Sequence, residues 1–443
     1  MKYYSTNKTV PAVSLMEAVT KGLASDNGLF MPERIEKFSS DFFDHTIDKL
    51  NFKELSYAVA KKFFGEDIPE ETLTSIVNDT LSFDCPVVKV TDSIYSLELF
   101  HGPTLAFKDV GGRFMARLLG YFLRGFNKEV NVLVATSGDT GSAVANGFYE
   151  VPGINVYVLY PKGLVSDIQE KQFTTLGKNI TAIEVNGTFD DCQRLVKSAF
   201  LDKELNNALV LTSANSINVA RFLPQSFYYF NAYARLRELG VDNNIVVSVP
   251  SGNFGNLTAG LFAKFMGLPI NRFVAANNEN DVVYNYLQNG KYEPRASVAT
   301  IANAMDVGAP SNFARILELY DHKYISIAAD MKGYRYSDNE IRETMKEVYT
   351  KYNYILDPHG AVGYRALKAE LKLGETGVLL ETAHPVKFTE TVEDVLGKGT
   401  VALPEKLQAF MKGEKRSIPL STNFEDFKYY FLKLAKVPFD EQK

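Results

Sequence analysis

Cysteine is scarce in this sequence of 443 residues, which contains only Cys85 and Cys192. The two residues form no CxxC pair and have no histidine beside them, so the pattern does not support a disulfide scaffold or a cysteine-rich metal site. We predict that both are reduced structural thiols. The five histidines are widely separated and form no HExxH motif, so no metal site is predicted.

The chain also lacks a large excess of either charge. It has 48 Lys and Arg against 53 Asp and Glu, and the net charge of −5 argues against a nucleic acid or an anionic membrane as partner. No apolar run reaches the roughly 18 residues of a membrane-spanning helix, and the first residues lack the apolar core of a signal peptide. We therefore expect a soluble, cytoplasmic protein.

Residues 1–85 are predicted to form a mostly helical lead-in. The spacing of Phe52, Leu55, Val59 and Phe63 favours a helix over residues 51–64, and a second helix is expected near residues 70–79. Nothing in this segment indicates catalysis, so a packing or lid element is the better interpretation.

From residue 87 onward, short β-rich runs alternate with helical segments. This order favours parallel sheets built from βαβ crossovers, in which ligands bind beyond the carboxyl ends of the strands. Ser166 and Ser337 each have the spacing of a capping box at a helix start. Strands are predicted at 87–90, 94–100, 130–135, 154–159, 180–185, 208–211, 245–249, 273–276 and 378–381.

Lys108 follows a predicted strand and the turn at Gly102-Pro103, and it stands directly before residues with helical spacing. A lysine is unusual at the mouth of an apolar strand–turn–helix corner. Desolvation would lower the pKa of its amine from about 10.4 toward the neutral nucleophile that Schiff-base chemistry requires. Lys108 is therefore the central candidate for catalysis.

Two strand-to-helix loops have the composition of anion-binding sites. Thr136-Ser-Gly-Asp-Thr-Gly141 presents hydroxyls and backbone N–H groups that suit a substrate carboxylate, although such a loop can also simply cap its helix. Ser251-Gly-Asn-Phe-Gly-Asn256 has two glycines three residues apart, which let backbone N–H groups surround a phosphate. It matches neither a Walker loop nor a dinucleotide fingerprint, and it suits a single terminal phosphate.

A third stretch presents Asn215, Ser216 and Arg221 just before a helix predicted from Phe222 to Leu239. The arginine fork suits a phosphate. Without the other loops, a capped helix with a surface arginine would be the simpler interpretation.

A fourth stretch, Glu381-Thr-Ala-His-Pro385, ends a late strand. The hydroxyl of Thr382 could donate to a neutral ring nitrogen, which a carboxylate could not do. His384 is interpreted as a packed turn residue.

Five motifs in one order along the chain resemble the threonine synthase family, in the branch of the enterobacterial and fungal enzymes. Gly28-Leu-Phe-Met-Pro32 and Phe64-Gly-Glu-Asp-Ile-Pro69 also resemble that branch, so the resemblance spans most of the chain. The five motifs are His101-Gly-Pro-Thr-Leu-Ala-Phe-Lys-Asp109, Ser137-Gly-Asp-Thr-Gly141, Ser213-Ala-Asn-Ser-Ile-Asn218, Pro250-Ser-Gly-Asn-Phe-Gly255 and Thr382-Ala-His-Pro385.

The resemblance implies an α/β fold with two parallel-sheet domains, that of fold-type II pyridoxal-phosphate enzymes such as the tryptophan synthase β subunit. It implies a helical N-terminal extension at 1–85 and a large cofactor-binding domain at 86–120 plus 231–443. A smaller α/β domain at 121–230 would be inserted in the large one.

The resemblance also implies roles for the candidate residues. Lys108 would bind pyridoxal 5'-phosphate covalently, and Thr382 would face the ring nitrogen of this cofactor. The cofactor phosphate would be held by Ser251, Gly252, Asn253, Phe254, Gly255 and Asn256. The substrate α-carboxylate would be held by Ser137, Asp139 and Thr140, and the substrate phosphate by Asn215, Ser216 and Arg221.

Asp139 departs from the family pattern, because many fold-type II enzymes have asparagine at this position, near the ring hydroxyl of the cofactor. A carboxylate donates no hydrogen bond unless it is protonated, so the role of Asp139 toward that hydroxyl stays open.

The expected reaction converts O-phospho-L-homoserine and water to L-threonine and phosphate, the last step of threonine biosynthesis, with Lys108 as the base that removes the α-proton. One alternative is another enzyme, either a phospholyase that releases 2-oxobutyrate from the same substrate or a hydroxy-amino-acid dehydratase. Arg221 disfavours the dehydratase. The other alternative is a catalytically silent relative that binds a ligand or a protein, which the intact Lys108 and Thr382 disfavour.

Overall fold

The computed structural model of the chain describes residues 1–124, 128–241 and 244–435. Its strands are β1 (Lys2–Ser5), β2 (Val13–Ser14), β3 (Phe30–Pro32), β4 (Val87–Lys89), β5 (Ile94–Glu98), β6 (Val130–Ala135), β7 (Ile154–Pro161), β8 (Ile180–Val185), β9 (Val210–Ser213), β10 (Ile245–Pro250), β11 (Arg272–Asn277), β12 (Met331–Arg335), β13 (Thr376–Glu381) and β14 (Ile418–Leu420).

Its α-helices are α1 (Leu15–Lys21), α2 (Phe52–Phe64), α3 (Glu70–Thr80), α4 (Lys108–Phe122), α5 (Asp139–Phe148), α6 (Asp167–Thr174), α7 (Phe189–Leu201), α8 (Lys203–Ala208), α9 (Val219–Phe222), α10 (Ser226–Glu238), α11 (Gly255–Phe265), α12 (Val282–Asn289), α13 (Phe313–Leu319), α14 (Tyr324–Asp330), α15 (Asp338–Tyr352), α16 (Pro358–Glu370), α17 (Thr389–Leu396), α18 (Glu405–Lys412) and α19 (Phe424–Ala435).

The larger sheet has six strands in the order β12-β11-β10-β13-β5-β4, all parallel to their neighbours except β4, which is antiparallel to β5. Its strand β10 is buried at every residue, which is typical of a parallel strand covered on both faces. Because β5, β10 and β13 run in the same direction, the loops that follow them meet at one edge of the sheet.

The second sheet has five parallel strands in the order β14-β8-β7-β6-β9. The two parallel sheets confirm the predicted fold class. β14 pairs with β8, although the predicted division assigned this C-terminal segment to the larger domain. The reason is apolar packing, since Phe427 and Phe431 of α19 lie in the core of the second sheet. The rest of the domain division stays a prediction.

The N-terminal segment contains a three-stranded antiparallel sheet, β2-β1-β3, as well as the predicted helices α2 and α3. The predicted helices are present, but these three short strands were not predicted. Strands of two to four residues are too short to produce a recognisable alternation of apolar and polar side chains. The Tyr3 hydroxyl donates to the Phe63 carbonyl (3.1 Å), which fastens this sheet to α2.

Each of the nine predicted strands has a counterpart, with boundaries shifted by at most about two residues. The helix predicted over residues 222–239 is instead divided into α9, a 3₁₀ turn at Leu223–Gln225 and α10, because Pro224 has no N–H to continue the α-helical bonding.

Cys85 and Cys192 are free and buried, as predicted for structural thiols. In the parts of the chain that the structure describes, no helix has the length and apolar character to cross a membrane.

Candidate active site

Loops that follow strands of both sheets line one cleft, with about 1030 Å³ of empty space that is partly open to solvent. Four strand ends, after β6, β9, β10 and β13, and the turn that follows β5 contribute to it. Every site residue predicted from the sequence lines this cleft: Lys108, Ser137, Asp139, Thr140, Asn215, Ser216, Arg221, Ser251, Gly252, Asn253, Phe254, Gly255, Asn256 and Thr382.

Lys108 is the first residue of α4, and its position is set by the turn that precedes it. The Asp109 carboxylate accepts hydrogen bonds from the Thr104 N–H (2.9 Å) and the Thr104 hydroxyl (2.6 Å), which closes the turn. The Phe107 N–H donates to the Thr382 carbonyl (2.9 Å). The end of β13 is therefore held directly beside the lysine.

The Lys108 amine has no hydrogen bond or ion pair within the described residues and lies 5.3 Å from the centroid of the Phe107 ring. Burial lowers its pKa from the ordinary value of 10.5 to about 8. The charge of Asp139 raises this pKa, whereas the charges of Lys387 and Arg221 lower it. Near pH 8 a large fraction of the amine is consequently the neutral nucleophile.

The loop between β10 and α11 presents a row of free backbone donors. Within the described part of the chain, the N–H groups of Gly252 through Asn256 donate to no protein acceptor. Phe254 has a left-handed conformation (φ 59°), and these N–H groups stand at the start of α11, where the helix dipole favours an anion. A Cβ on Gly252 would lie 2.6 Å from the Ala304 carbonyl oxygen, so a glycine is required there.

Asn256 leaves a further donor at this loop. Its Oδ1 accepts hydrogen bonds from the Tyr228 and Tyr229 hydroxyls (2.7 and 2.8 Å), while its Nδ2 is buried without a partner among the described residues. A phosphate cradle with an unpaired, partly neutral lysine in the same cleft fits a phosphorylated aldehyde such as pyridoxal phosphate.

Arg221 is 1% exposed and has no carboxylate within ion-pair distance among the described residues. One of its terminal nitrogens donates to the Ala214 carbonyl, and its Nε is buried without a partner. Burial lowers its pKa to about 10, and the nearby charge of Asp109 opposes this shift. A buried cation without a counter-ion is costly, so this position is suited to an anionic ligand.

Asp139 forms a buried ion pair with Lys387, whose Nζ lies 2.7 Å from Asp139 Oδ1 and also donates to the Thr104 carbonyl (2.8 Å). The Gln169 amide donates to the same Asp139 oxygen (2.8 Å). Burial by itself raises the pKa of Asp139, but the charges of Lys387 and Lys108 and these hydrogen bonds hold it well below its ordinary value. Asp139 is therefore ionised, and it acts as a counter-ion for two lysines rather than as a donor.

Replacing Asp139 with asparagine is expected to destabilise the cofactor-free protein by about 3–5 kcal/mol, because Lys387 would be left as an uncompensated buried charge. Urea unfolding measures this change in the free energy of unfolding. The double variant with Asp139→Asn and Lys387→Met is the matched control and should recover most of the loss. A double variant as unstable as the single one would contradict this account of the ion pair.

The sequence analysis missed several residues that line the same cleft. The segment 303–307 is held by His359, whose Nε2 accepts a hydrogen bond from the Ala304 N–H (3.1 Å) and whose Nδ1 lies 2.6 Å from Asp357. Because these residues lie far apart along the chain, no local motif indicated them. The missed lining residues are Phe107, Phe189, Gln193, Gln225, Asn303, Ala304, Met305, Asp306, Val307 and His359.

His384 is a packed turn residue, as interpreted from the sequence. Its Nδ1 accepts a hydrogen bond from the Val386 N–H (3.1 Å), and its ring lies edge-on to Phe100 at 5.2 Å. Burial lowers its pKa to about 4, so the ring is neutral at neutral pH.

Comparisons with known proteins agree with this geometry. Residues 88–381 match a family profile described as "Pyridoxal-phosphate dependent enzyme", residues 2–81 match "Threonine synthase N terminus" and residues 360–430 match "Threonine synthase, C-terminal". The chain is 46% identical over 433 residues to the threonine synthase of Haemophilus influenzae, which covers 98% of this chain and 100% of the relative.

Two solved structures are also similar over nearly the whole chain. The crystal structure of threonine synthase from Escherichia coli superposes with a TM-score of 0.92 at 45% identity and covers 98% of this chain and 100% of that one. The structure of pyridoxal-phosphate-bound threonine synthase from Brucella melitensis superposes with a TM-score of 0.90 at 33% identity and covers 99% and 100%.

Proposed function

Because this chain belongs to the threonine synthase family of pyridoxal-phosphate-dependent lyases, we propose that it converts O-phospho-L-homoserine and water to L-threonine and phosphate. The observation that carries the substrate assignment is the pair of separate anion sites in one cleft with Lys108. The cradle of free N–H groups at 252–256 is suited to the cofactor phosphate. Arg221 then remains for a second phosphate, that of the substrate.

Pyridoxal phosphate, when bound, supplies an electron sink for the substrate α-carbon. The role of Lys108 follows from its environment. Its amine first holds the cofactor aldehyde and, once released, takes the proton from the α-carbon, for which a pKa near 8 is well suited. The same amine is positioned to return a proton as the product forms.

The carboxylate end of the substrate is assigned to the start of α5. Ser137 and Thr140 offer hydroxyls there, and the helix dipole favours an anion. Asp139 lies in the same loop, but its charge is balanced by Lys387, so it does not repel the substrate as a lone carboxylate would. Thr382 is assigned to the ring nitrogen of the cofactor, because its hydroxyl can donate to an unprotonated nitrogen.

Product analysis tests the proposed function. The purified enzyme with pyridoxal phosphate should convert O-phospho-L-homoserine to threonine and phosphate in equal amounts, with no 2-oxobutyrate. Phosphate accompanied by 2-oxobutyrate would indicate the phospholyase instead. Absence of phosphate release from a fully loaded enzyme would exclude both reactions and favour the silent relative.

We also propose a cytoplasmic location and a monomeric or homodimeric state. The free thiols of Cys85 and Cys192 support a reducing compartment. One chain supplies all the predicted site residues, which supports a site that is complete without a partner subunit.

The rate of cofactor attachment to the cofactor-free enzyme is expected to rise about tenfold per pH unit below pH 8 and to level off above it. The reason is that only the neutral Lys108 amine attacks the aldehyde and its pKa is lowered to about 8. Stopped-flow absorbance with pyridoxal phosphate measures the rate, with the free amino acid lysine as the reference amine. A rate that keeps rising toward pH 10 would show that burial does not depress this pKa.

A further inference from the structure

The Ser216 hydroxyl is faced by two side-chain amides. Its oxygen accepts a hydrogen bond from Asn253 Nδ2 at 2.9 Å and another from Asn312 Nδ2 at 3.1 Å. A serine hydroxyl has two acceptor lone pairs and a single proton. If both amides donate, both lone pairs are used, and the proton must be directed elsewhere.

The orientation of Asn312 is determined by Arg315, which can only donate. Arg315 donates to Asn312 Oδ1 at 2.6 Å, so the amide oxygen faces the guanidinium and the amide nitrogen faces Ser216. Asn312 and Arg315 are both 0% exposed. Arg315 also donates to the backbone carbonyls of Phe30 (3.0 Å) and Ile217 (2.5 Å), which fixes its position.

The orientation of Asn253 is determined in the same way from the other side. Its Oδ1 accepts a hydrogen bond from the Ser311 backbone N–H at 2.6 Å, so its Nδ2 faces Ser216. An amide N–H cannot accept a hydrogen bond, so flipping either amide would set its N–H group against a donor, which is Arg315 for Asn312 and the Ser311 N–H for Asn253. Ser216 is consequently held between two obligatory donors.

We infer that Asn312, oriented by Arg315, is a positioning residue that directs the Ser216 proton into the cleft, toward a phosphate oxygen of the substrate. Ser216 has no acceptor among the described residues, and it lines the cleft together with Arg221. This inference rests on the proposed function, since it assigns the substrate phosphate to the Ser216–Arg221 side. Asn312 lies outside the predicted motifs and does not line the cleft itself.

The arrangement has a consequence for specificity. Ser216 and Arg221 present only donors, and a phosphate dianion presents only acceptors, so every polar contact is matched. A substrate that carries a hydroxyl in place of the phosphate would present a proton as well as acceptors to Ser216 and Arg221. At least one of their donors would then be left unpaired. Discrimination between phosphohomoserine and homoserine is therefore assigned partly to the direction of one serine proton.

Replacing Asn312 with aspartate tests the inference, because it keeps the shape of the side chain but turns the donor facing Ser216 into an acceptor. In the Asn312→Asp variant the Ser216 proton should then bond to the introduced carboxylate instead of the ligand. We expect KM for O-phosphohomoserine and the dissociation constant of inorganic phosphate from the holoenzyme to rise about 10–100-fold. The value of kcat should change by less than about threefold, because no reacting group is altered.

A double-variant cycle separates this effect from simple charge repulsion or unfolding. In a Ser216→Ala background, Asn312→Asp should weaken phosphate binding by less than about twofold if it acts through the hydroxyl. An effect of full size in that background would overturn the inference in favour of charge repulsion. If Asn312→Asp does not fold, Asn312→Ala takes its place in the same cycle, with a smaller expected loss because Asn253 still faces Ser216.

Two further readouts distinguish the possible failures. If Asn312→Asp instead weakens the binding of pyridoxal phosphate to the cofactor-free enzyme and leaves phosphate binding to the holoenzyme unchanged, the Ser216 proton serves the cofactor, and the inference is wrong. The phosphate titration does not require turnover. It therefore still tests the direction of the proton if product analysis rejects the proposed reaction.

Discussion

Replacement of Lys108 by alanine is expected to reduce kcat by at least about a thousandfold, because it removes both the covalent attachment of the cofactor and the proposed base. The cleft retains the free N–H groups at 252–256, so the variant should still bind pyridoxal phosphate, but without the absorbance of a lysine-bound cofactor. Absorbance spectra and single-turnover product analysis measure the two losses separately.

The controls for Lys108 use the same position. Lys108→Arg keeps the positive charge but cannot become neutral, so it should be as inactive as Lys108→Ala. A small primary amine added to Lys108→Ala should restore part of the activity, because the truncation leaves space beside the substrate. Lys108→Ala should unfold at a temperature no lower than the wild type, since a buried amine without a partner costs stability, whereas Lys108→Arg buries a permanent charge and should be less stable than Lys108→Ala. Full activity in Lys108→Ala would refute the assignment of this residue.

Replacement of Arg221 by methionine is expected to lower kcat/KM for O-phosphohomoserine by about 10²–10⁴-fold. This corresponds to the loss of about two charge-assisted hydrogen bonds to the phosphate, at roughly 1.5–3 kcal/mol each. The kcat/KM of Arg221→Lys should lie between the values of the wild type and of Arg221→Met, because lysine retains the charge but not the planar fork. Steady-state kinetics with the holoenzyme measure both changes.

The Arg221→Met variant is expected to be at least as stable as the wild type in the absence of ligand. Arg221 is buried, lacks a carboxylate partner within the described residues and has an unpaired Nε. Its burial therefore lowers the free energy of unfolding of the ligand-free protein. With pyridoxal phosphate bound at the cradle of residues 252–256, inorganic phosphate should raise the melting temperature of the wild-type holoenzyme but not that of the Arg221→Met holoenzyme. Arg194→Met is a suitable control, because Arg194 is half exposed, lies outside the cleft lining, and forms an ion pair with Asp191 on its own helix and a hydrogen bond to the Thr422 carbonyl. A variant that unfolds readily and keeps its KM would show that Arg221 is structural.

The elements and the candidate residues were largely predictable because their signals are local. Parallel strands are continuous apolar runs, and the loops after them carry the glycines, hydroxyls and amides whose chemistry can be recognised within six residues. Lys108 and Thr382 stand beside such strand ends, and the fold holds them close together through a backbone hydrogen bond from Phe107, the neighbour of Lys108, to the Thr382 carbonyl. The strands of two to four residues in the N-terminal sheet had no such signal and were missed.

The residues that adjust the site were not predictable, because each acts through space. Lys387 reaches Asp139 from a distant part of the chain, and Asn312 reaches Ser216 from the position just before α13, in a stretch that matches no motif. A single buried lysine or asparagine has no sequence pattern that distinguishes it from its many exposed counterparts.

The sequence by itself determined which functional groups this protein has and in which loops they lie, since strand periodicity and turn chemistry depend on neighbouring residues. The tertiary structure alone decided their states: that the pKa of Lys108 is lowered to about 8, that Asp139 is a carboxylate, and that Ser216 is held as a donor. The physical reason is that a pKa and the direction of a hydrogen bond depend on burial and on the charges and donors within a few ångströms. Those neighbours are brought together only by folding.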